Sequence, residues 1–194
     1  MNKTLLAVIV VIVVVGGWFG LTYNGLVARR EAVSSAWAQV QNVYQRRADL
    51  VPNLVETVRG AANFEKSTLT AVTEARAKVG SFTVDRSVLN DPQKFQQFEQ
   101  AQGDLGRALG RLMVVIERYP EIKATQNFHD LQVQLEGTEN RITVERREFN
   151  SVAQVYNTAI KKLPANIVAG LGGFKERPYF EAETAAQHAP AVKF

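Results

Sequence analysis

The sequence predicts an all-α protein: a single N-terminal transmembrane helix continuing into an elongated antiparallel four-helix bundle, with an irregular C-terminal tail. Three observations predict it. Residues 4–28 carry no charge, and the apolar part has the ~20 residues a helix needs to cross ~30 Å of hydrocarbon. Beyond it, apolar residues recur in steps of three and four, the period of helices that pack along one stripe. No convincing strand pattern appears anywhere in the chain.

The first element is the anchor, placed at residues 1–23. Its valines and isoleucines are no obstacle, because in lipid an unpaired backbone amide is so costly that the segment must be helical. Trp18 and Tyr23 stand near its far end, where amphipathic rings favour the headgroup layer. A cleaved signal peptide is the competing reading, and Lys3 suits it. The apolar run is long for that, however, and no small-x-small site follows Gly20. The absence of cysteine excludes lipoprotein processing. An uncleaved anchor is expected.

The bundle is placed at residues 24–163. Leu26, Arg30, Val33, Trp37, Val40, Tyr44, Arg47, Val51, Leu54 and Val58 form a seam with polar residues between. Nothing between Tyr23 and Asp49 would stop a helix, so the span is expected to run straight into this first bundle helix. Pro52 should kink it or start a new segment. A shorter helix reads from about Glu65 to Val79, with Gly80 as its stop. A mixed connector follows.

Asp91-Pro92 is then a start signal, a capping acid before a proline in the first helical position. The third helix runs to Tyr119-Pro120. Gly103, Gly106 and Gly110 weaken it by roughly 1 kcal/mol each, tolerable if a neighbouring backbone packs close. The last helix carries Phe128, Leu135, Ile142, Phe149, Tyr156 and Leu163 on one face, and Pro164 closes it.

Composition bounds the chemistry. The net charge of +4 is modest, and acidic and basic residues are interspersed, which does not point to nucleic acid. Zero cysteines exclude disulfides, thiolate metal sites and thiol catalysis. Of two histidines, His129 lies at the start of the last helix and His188 in the tail. No HExxH, nucleophile elbow or phosphate-cradling loop is present, so neither an enzyme nor a cofactor or metal site is expected. The glycines at 170, 172 and 173 read as a flexible joint.

The candidates for structural or binding roles are charges and rings in unusual places. Arg30 and Arg47 occupy seam positions where leucine would pack better. Arg30, just outside the membrane, is expected to snorkel and to meet lipid phosphates. For Arg47 a carboxylate from the last helix is expected, with Glu139 and Glu145 as candidates. Trp37 is expected in the core. The tail, residues 164–194, carries Ile167, Val168, Leu171, Phe174, Tyr179, Phe180 and Phe194 among glycines. These either cover their own bundle or bind something. They are expected at the membrane-proximal base, touching lipid or a neighbouring subunit.

Several blocks of residues resemble the bacterial LemA family. They are Tyr23-Asn24-Gly25-Leu26-Val27, the run from Arg46-Arg47-Ala48-Asp49 through Pro52 to Val58, and Glu74-Ala75-Arg76. Glu139-Asn140-Arg141-Ile142, Phe149-Asn150, Tyr156-Asn157 and Pro178-Tyr179-Phe180 agree as well. The likeness covers nearly all the chain after the anchor. One departure is Ala61-Ala62-Asn63-Phe64-Glu65, where the family usually has a histidine. The resemblance implies a single-span membrane protein with a helical-bundle domain. It supplies no chemistry, and only hints at membrane proteases or stress-related envelope proteins as partners.

Function is therefore expected to be that of a self-associating, homo-oligomeric membrane scaffold in contact with the lipid bilayer. Gly16, Gly17 and Gly20 would allow close approach of two spans. The alternative is an adaptor for a membrane protease or other envelope protein. Basic residues on the two flanks of the span, Lys3 against Arg29 and Arg30, nearly balance, and tip only slightly toward a cytoplasmic bundle.

Overall fold

The computed structural model describes residues 2–60, 64–82 and 86–181. All regular structure among them is helical. Helix α1 spans Lys3–Arg59, α2 Lys66–Gly80, α3 Pro92–Ile116, α4 Pro120–Lys123, α5 Gln126–Lys161 and α6 Ala165–Leu171, with a 3-10 turn at Arg86–Asn90. A rise of 1.5 Å per residue makes α1 about 85 Å long. Its first stretch is wholly exposed, and it is the one helix among the described residues long and apolar enough to cross a membrane. A soluble core helix would be covered. This one is bare until Phe19, then enters the bundle without a break.

The bundle is organised by α1 lying antiparallel along α5, its most extensive pairing. Ten residues separate Trp37 from Arg47 on α1, and ten separate their α5 partners Phe149 and Glu139. Equal steps in opposite directions fix the register. Helix α2 packs on α3 and more lightly on α1. Asp91 caps α3 by accepting from the Gln93 and Lys94 amides, and Thr125 caps α5 by accepting from the Phe128 amide.

Four sequence expectations are corrected or narrowed by the structure. Pro52 starts no new segment, for α1 continues to Arg59. A proline at 52 leaves the Ala48 carbonyl without its helical donor, and Arg76 Nε of α2 supplies one at 2.9 Å. The third helix stops at Ile116, before Tyr119-Pro120, and Pro120 opens α4 instead. The glycine-bearing tail is not simply a joint: α6 runs through Gly170, and the turn falls at Gly172 and Gly173, the latter at φ 67°. The glycines of α3 also lack the anticipated close backbone at two positions. A side chain at Gly106 would meet the Arg47 guanidinium at 3.7 Å, and one at Gly110 would meet nothing.

Two hydrophobic cores result. The membrane-proximal core gathers Leu26, Val33, Trp37, Tyr44, Phe95, Phe98, Phe149, Tyr156, Val168, Phe174 and Phe180. The distal core gathers Val51, Leu54, Val58, Phe64, Val72, Leu105, Leu112, Ile116, Phe128 and Leu135.

Candidate interaction site: the central polar layer and the tail groove

Between the two cores lies a layer built on Arg47. Its side chain is 4% exposed, with Nη1 at 3.0 Å and 3.2 Å from the two Glu139 carboxylate oxygens. Nη2 donates to the Gln102 carbonyl at 2.9 Å and to the Gln102 side-chain oxygen at 2.6 Å. The guanidinium also lies over the Tyr44 ring, 5.1 Å from its centroid. One cation thereby ties α1, α3 and α5 together. Glu139, not Glu145, holds the place opposite it. The Glu139 side chain is 43% exposed, so water screens its charge, and the buried Gln102 side-chain oxygen depends on Arg47 more than Glu139 does. Glycine at 106 leaves room for this guanidinium.

The proximal core is organised around Trp37. Its ring centroid lies 5.2–6.1 Å from those of Phe95, Phe98, Phe149 and Phe180. Its indole Nε1 is buried with no hydrogen-bond partner. That cost is accepted for volume and ring contact, since aromatic pairs add about 0.5–1.5 kcal/mol beyond burial.

Residues 174–181 form an extended strap laid back along α5. Asn157 Nδ2 donates to the Arg177 carbonyl and its Oδ1 accepts from the Arg177 amide, at 2.8 Å and 2.9 Å. Asn150 does the same for both backbone groups of Phe180, at 2.8 Å and 2.9 Å. The match is metric. Seven helical residues rise about 10.5 Å, and three extended residues cover about 10 Å. Pro178, between the two anchored residues, has no amide to satisfy and favours extended backbone. The Tyr156 hydroxyl donates to the Lys175 carbonyl at 3.0 Å. Burial raises the pKa of that phenol.

Side chains fasten the strap at both ends. Arg177 Nη1 donates to the Leu89 carbonyl at 3.1 Å and to the Asn90 side chain, holding the 3-10 turn. Arg146 Nη2 donates to Glu99 Oε1 at 3.0 Å and to the Glu181 carbonyl at 2.9 Å, and lies over the Phe180 ring. The Glu99 carboxyl has a displaced pKa. Burial pushes it up, against the pull of Arg146 and of the Glu181 amide. Beside this corner runs an open polar groove of about 750 Å³, lined by Arg47, Glu99, Gly103, Arg107, Glu139 and Arg146 among others.

Arg30 lies over the Phe174 ring, 5.2 Å from its centroid, with Nε 3.8 Å from Glu31. Phe174 is buried against Tyr23 at the base of the bundle. Phe180 is buried too, but well up the bundle against Trp37 and Phe95. This corrects the expectation that the whole tail stays at the base: two of its rings belong to their own core. Tyr179 points outward, 42% exposed. Phe194, His188 and residues 61–63 lie outside the described residues. His129 is exposed, 4.0 Å from Asp130. Sequence reasoning missed Gln102, Arg76, Glu99, Asn150 and Asn157 as fasteners. The seven-residue spacing of the two asparagines, matched to residues 177 and 180, was the one available signal.

A bare apolar rod continuous with a strap-locked helical bundle defines a class: membrane-anchored, all-helical proteins. Residues 36–194 match the LemA family, and the chain belongs to that family. It is 30% identical over 181 residues to magnetosome protein MamQ 2 of Paramagnetospirillum magneticum, covering 85% of this chain and 66% of the relative. The MamQ magnetosome protein of Magnetospirillum gryphiswaldense is 29% identical with the same coverage. Protein LemA of Metamycoplasma hominis is 24% identical over 146 residues, 75% of this chain and 63% of the relative. The chain thus spans somewhat under two thirds of these relatives' length.

Proposed function

We propose that this protein is a self-associating membrane scaffold. The observation that carries the reading is α1, unbroken from Lys3 to Arg59. A rigid link between span and bundle lets packing of spans in the bilayer dictate the spacing of bundles outside it. Gly16 and Gly20 lie one turn apart on the exposed span, with open space where a side chain would stand. Small residues at that spacing let two helices approach closely. The most buried charge, Arg47, and the strap arginines 146 and 177 are occupied in holding the bundle together. That supports a mechanical role, and the reading assigns no catalysis. The relatives named as magnetosome proteins support placing the chain in an organised membrane structure.

Imaging of particles extracted gently with their own lipid tests it. Rings or clusters of this chain are the expected result, lost on replacing Gly16 and Gly20 by leucine. Single copies throughout would refute it. The second reading, an adaptor for a membrane protease or envelope protein, draws on the polar groove beside Glu99 and Arg107. A stoichiometric second protein in the same particles would favour it.

A further inference from the structure

The exposed edge of α6 and its lead-in is apolar where a soluble surface would not be. Leu163, Ile167 and Leu171 are 80%, 58% and 76% exposed. They recur every four residues, while Val168 and Ala169 face the bundle and are buried. The place of this edge along the rod is fixed by contacts. A side chain at Gly172 would stand 3.1 Å from Tyr23, and Phe174 meets Tyr23 edge to face with centroids 5.5 Å apart. Phe19, one turn further into the span, packs against the core that contains Val168 and Phe174.

If hydrocarbon covers the ~20 apolar residues that end at Tyr23, α6 stands at the headgroup boundary. Exposed Lys162 and Lys175 flank it, as cations do where a helix lies in that layer. Water leaves these three side chains unsupported, and lipid is continuous with the anchor beside them.

We propose that the Leu163–Ile167–Leu171 edge is a second membrane contact, a foot that dips into the acyl boundary of the same bilayer the anchor crosses. The partner is lipid, not a second copy of the chain. The inference rests on the anchor lying in the bilayer, and it adds a mechanical consequence. A lone span tilts by about 20° on average. A contact to one side of it sets which way the rod leans, so every bundle presents the same face.

The chain has no cysteine, so a single introduced thiol can carry an environment-sensitive dye. Full-length Ile167→Cys, Val155→Cys and Val10→Cys are labelled and reconstituted in phosphatidylcholine vesicles containing nitroxide lipid, headgroup-proximal for the labels at 167 and 155 and mid-chain for the label at 10. Val155 is as exposed as Ile167 but lies about two turns away from the foot on α5. The expected result is a blue-shifted emission with severalfold quenching at 167 and a water-like, unquenched signal at 155. Replacing Leu163 and Leu171 by asparagine should reverse most of the shift at 167 without lowering the melting temperature. A water-like signal at 167 overturns the proposal. So does a blue shift that nitroxide lipid does not quench, because that means a second copy covers the edge. The label at 10 separates the two readings: if it is dark to lipid, the anchor itself is misplaced; if it alone responds, only the foot is lost.

Discussion

The membrane-proximal half of the bundle is held together by rings and the distal half by branched aliphatic chains. Trp37 with Phe95, Phe98, Phe149 and Phe180 fills the first, and Val51, Leu54, Val58, Leu105, Leu112 and Ile116 the second. The parts list differs as well. The distal half draws on helices α1 to α5 and on Phe64 between α1 and α2, whereas the proximal half draws on α1, α3, α5, the 3-10 turn, α6 and the strap. Non-local closure is therefore concentrated at the end beside the bilayer. The proximal core is complete only once residues 174–181 have returned along α5.

That difference can be broken directly. Trp37→Ala should cost about 4 kcal/mol through the cavity it leaves, and should also release the strap, because Phe180 loses the ring it stacks on. Leu112→Ala should cost about 3 kcal/mol and leave the strap in place. Hydrogen exchange at the Arg177 and Phe180 amides distinguishes them, with protection lost in the first variant and kept in the second. Protection lost in both would mean that the two cores are one cooperative unit, and protection kept in both would mean that Trp37 does not hold the strap.

The layer between the halves gives the next effect. Arg47→Met removes the donor shared by α1, α3 and α5, and should lower stability by about 3 kcal/mol, as loss of one buried partner does. Glu139 can rehydrate, so adding Glu139→Gln should recover little. Adding Gln102→Leu should recover more, because the side-chain oxygen left stranded goes with it. Thermal melts of the two double variants decide. Recovery through Glu139 instead would place the main cost on the ion pair.

What the sequence disclosed follows the same divide. The stripe from Leu26 to Val58 announces α1 because helical period is a local property, and Asp91-Pro92 announces α3 through the chemistry of its cap. Arg47 was legible as a charge in an apolar seam, and antiparallel register brought only the middle of α5 within reach. Gln102 was not, since a glutamine on a polar-rich helix shows no sign of which side faces in. The rescue of the Ala48 carbonyl by Arg76 depends on how α2 sits against α1, a tertiary fact. The strap was hardest: Asn150 and Asn157 look like ordinary surface polars until the extended length between residues 177 and 180 is laid against them.

Sharpening the strap itself calls for Asn157→Ala. The Arg177 amide and carbonyl would lose both partners in a site where Asn157 is 3% exposed. A loss of about 1–2 kcal/mol follows for buried groups left unsatisfied. Asn150→Ala should cost somewhat less, being nearer solvent. Both variants should raise exchange across residues 174–181 while leaving the distal core protected. A uniform rise across the bundle would show that the strap is not a separate unit.

The smallest effect concerns charge at the strap's end. Glu99 has its pKa raised above the ordinary 4.5, first by burial, with Arg146 acting the other way. A raised carboxyl pKa means the folded protein holds this proton more tightly than the unfolded chain does. The stabilisation linked to it is therefore complete below about pH 4 and fades as pH climbs through the raised value. At neutral pH the ionised group is a mild liability, and because it is only half-buried water screens much of it. Glu99→Gln keeps an acceptor for Arg146 Nη2 and the Glu181 amide while removing the charge. Relative to the wild type, the variant should gain stability as pH moves from about 4 to about 7, a gain read as a melting-temperature difference that shifts in its favour. A difference that moves the opposite way would mean that Arg146 outweighs desolvation at this corner, and that the strap is held by an ion pair more than by its asparagines.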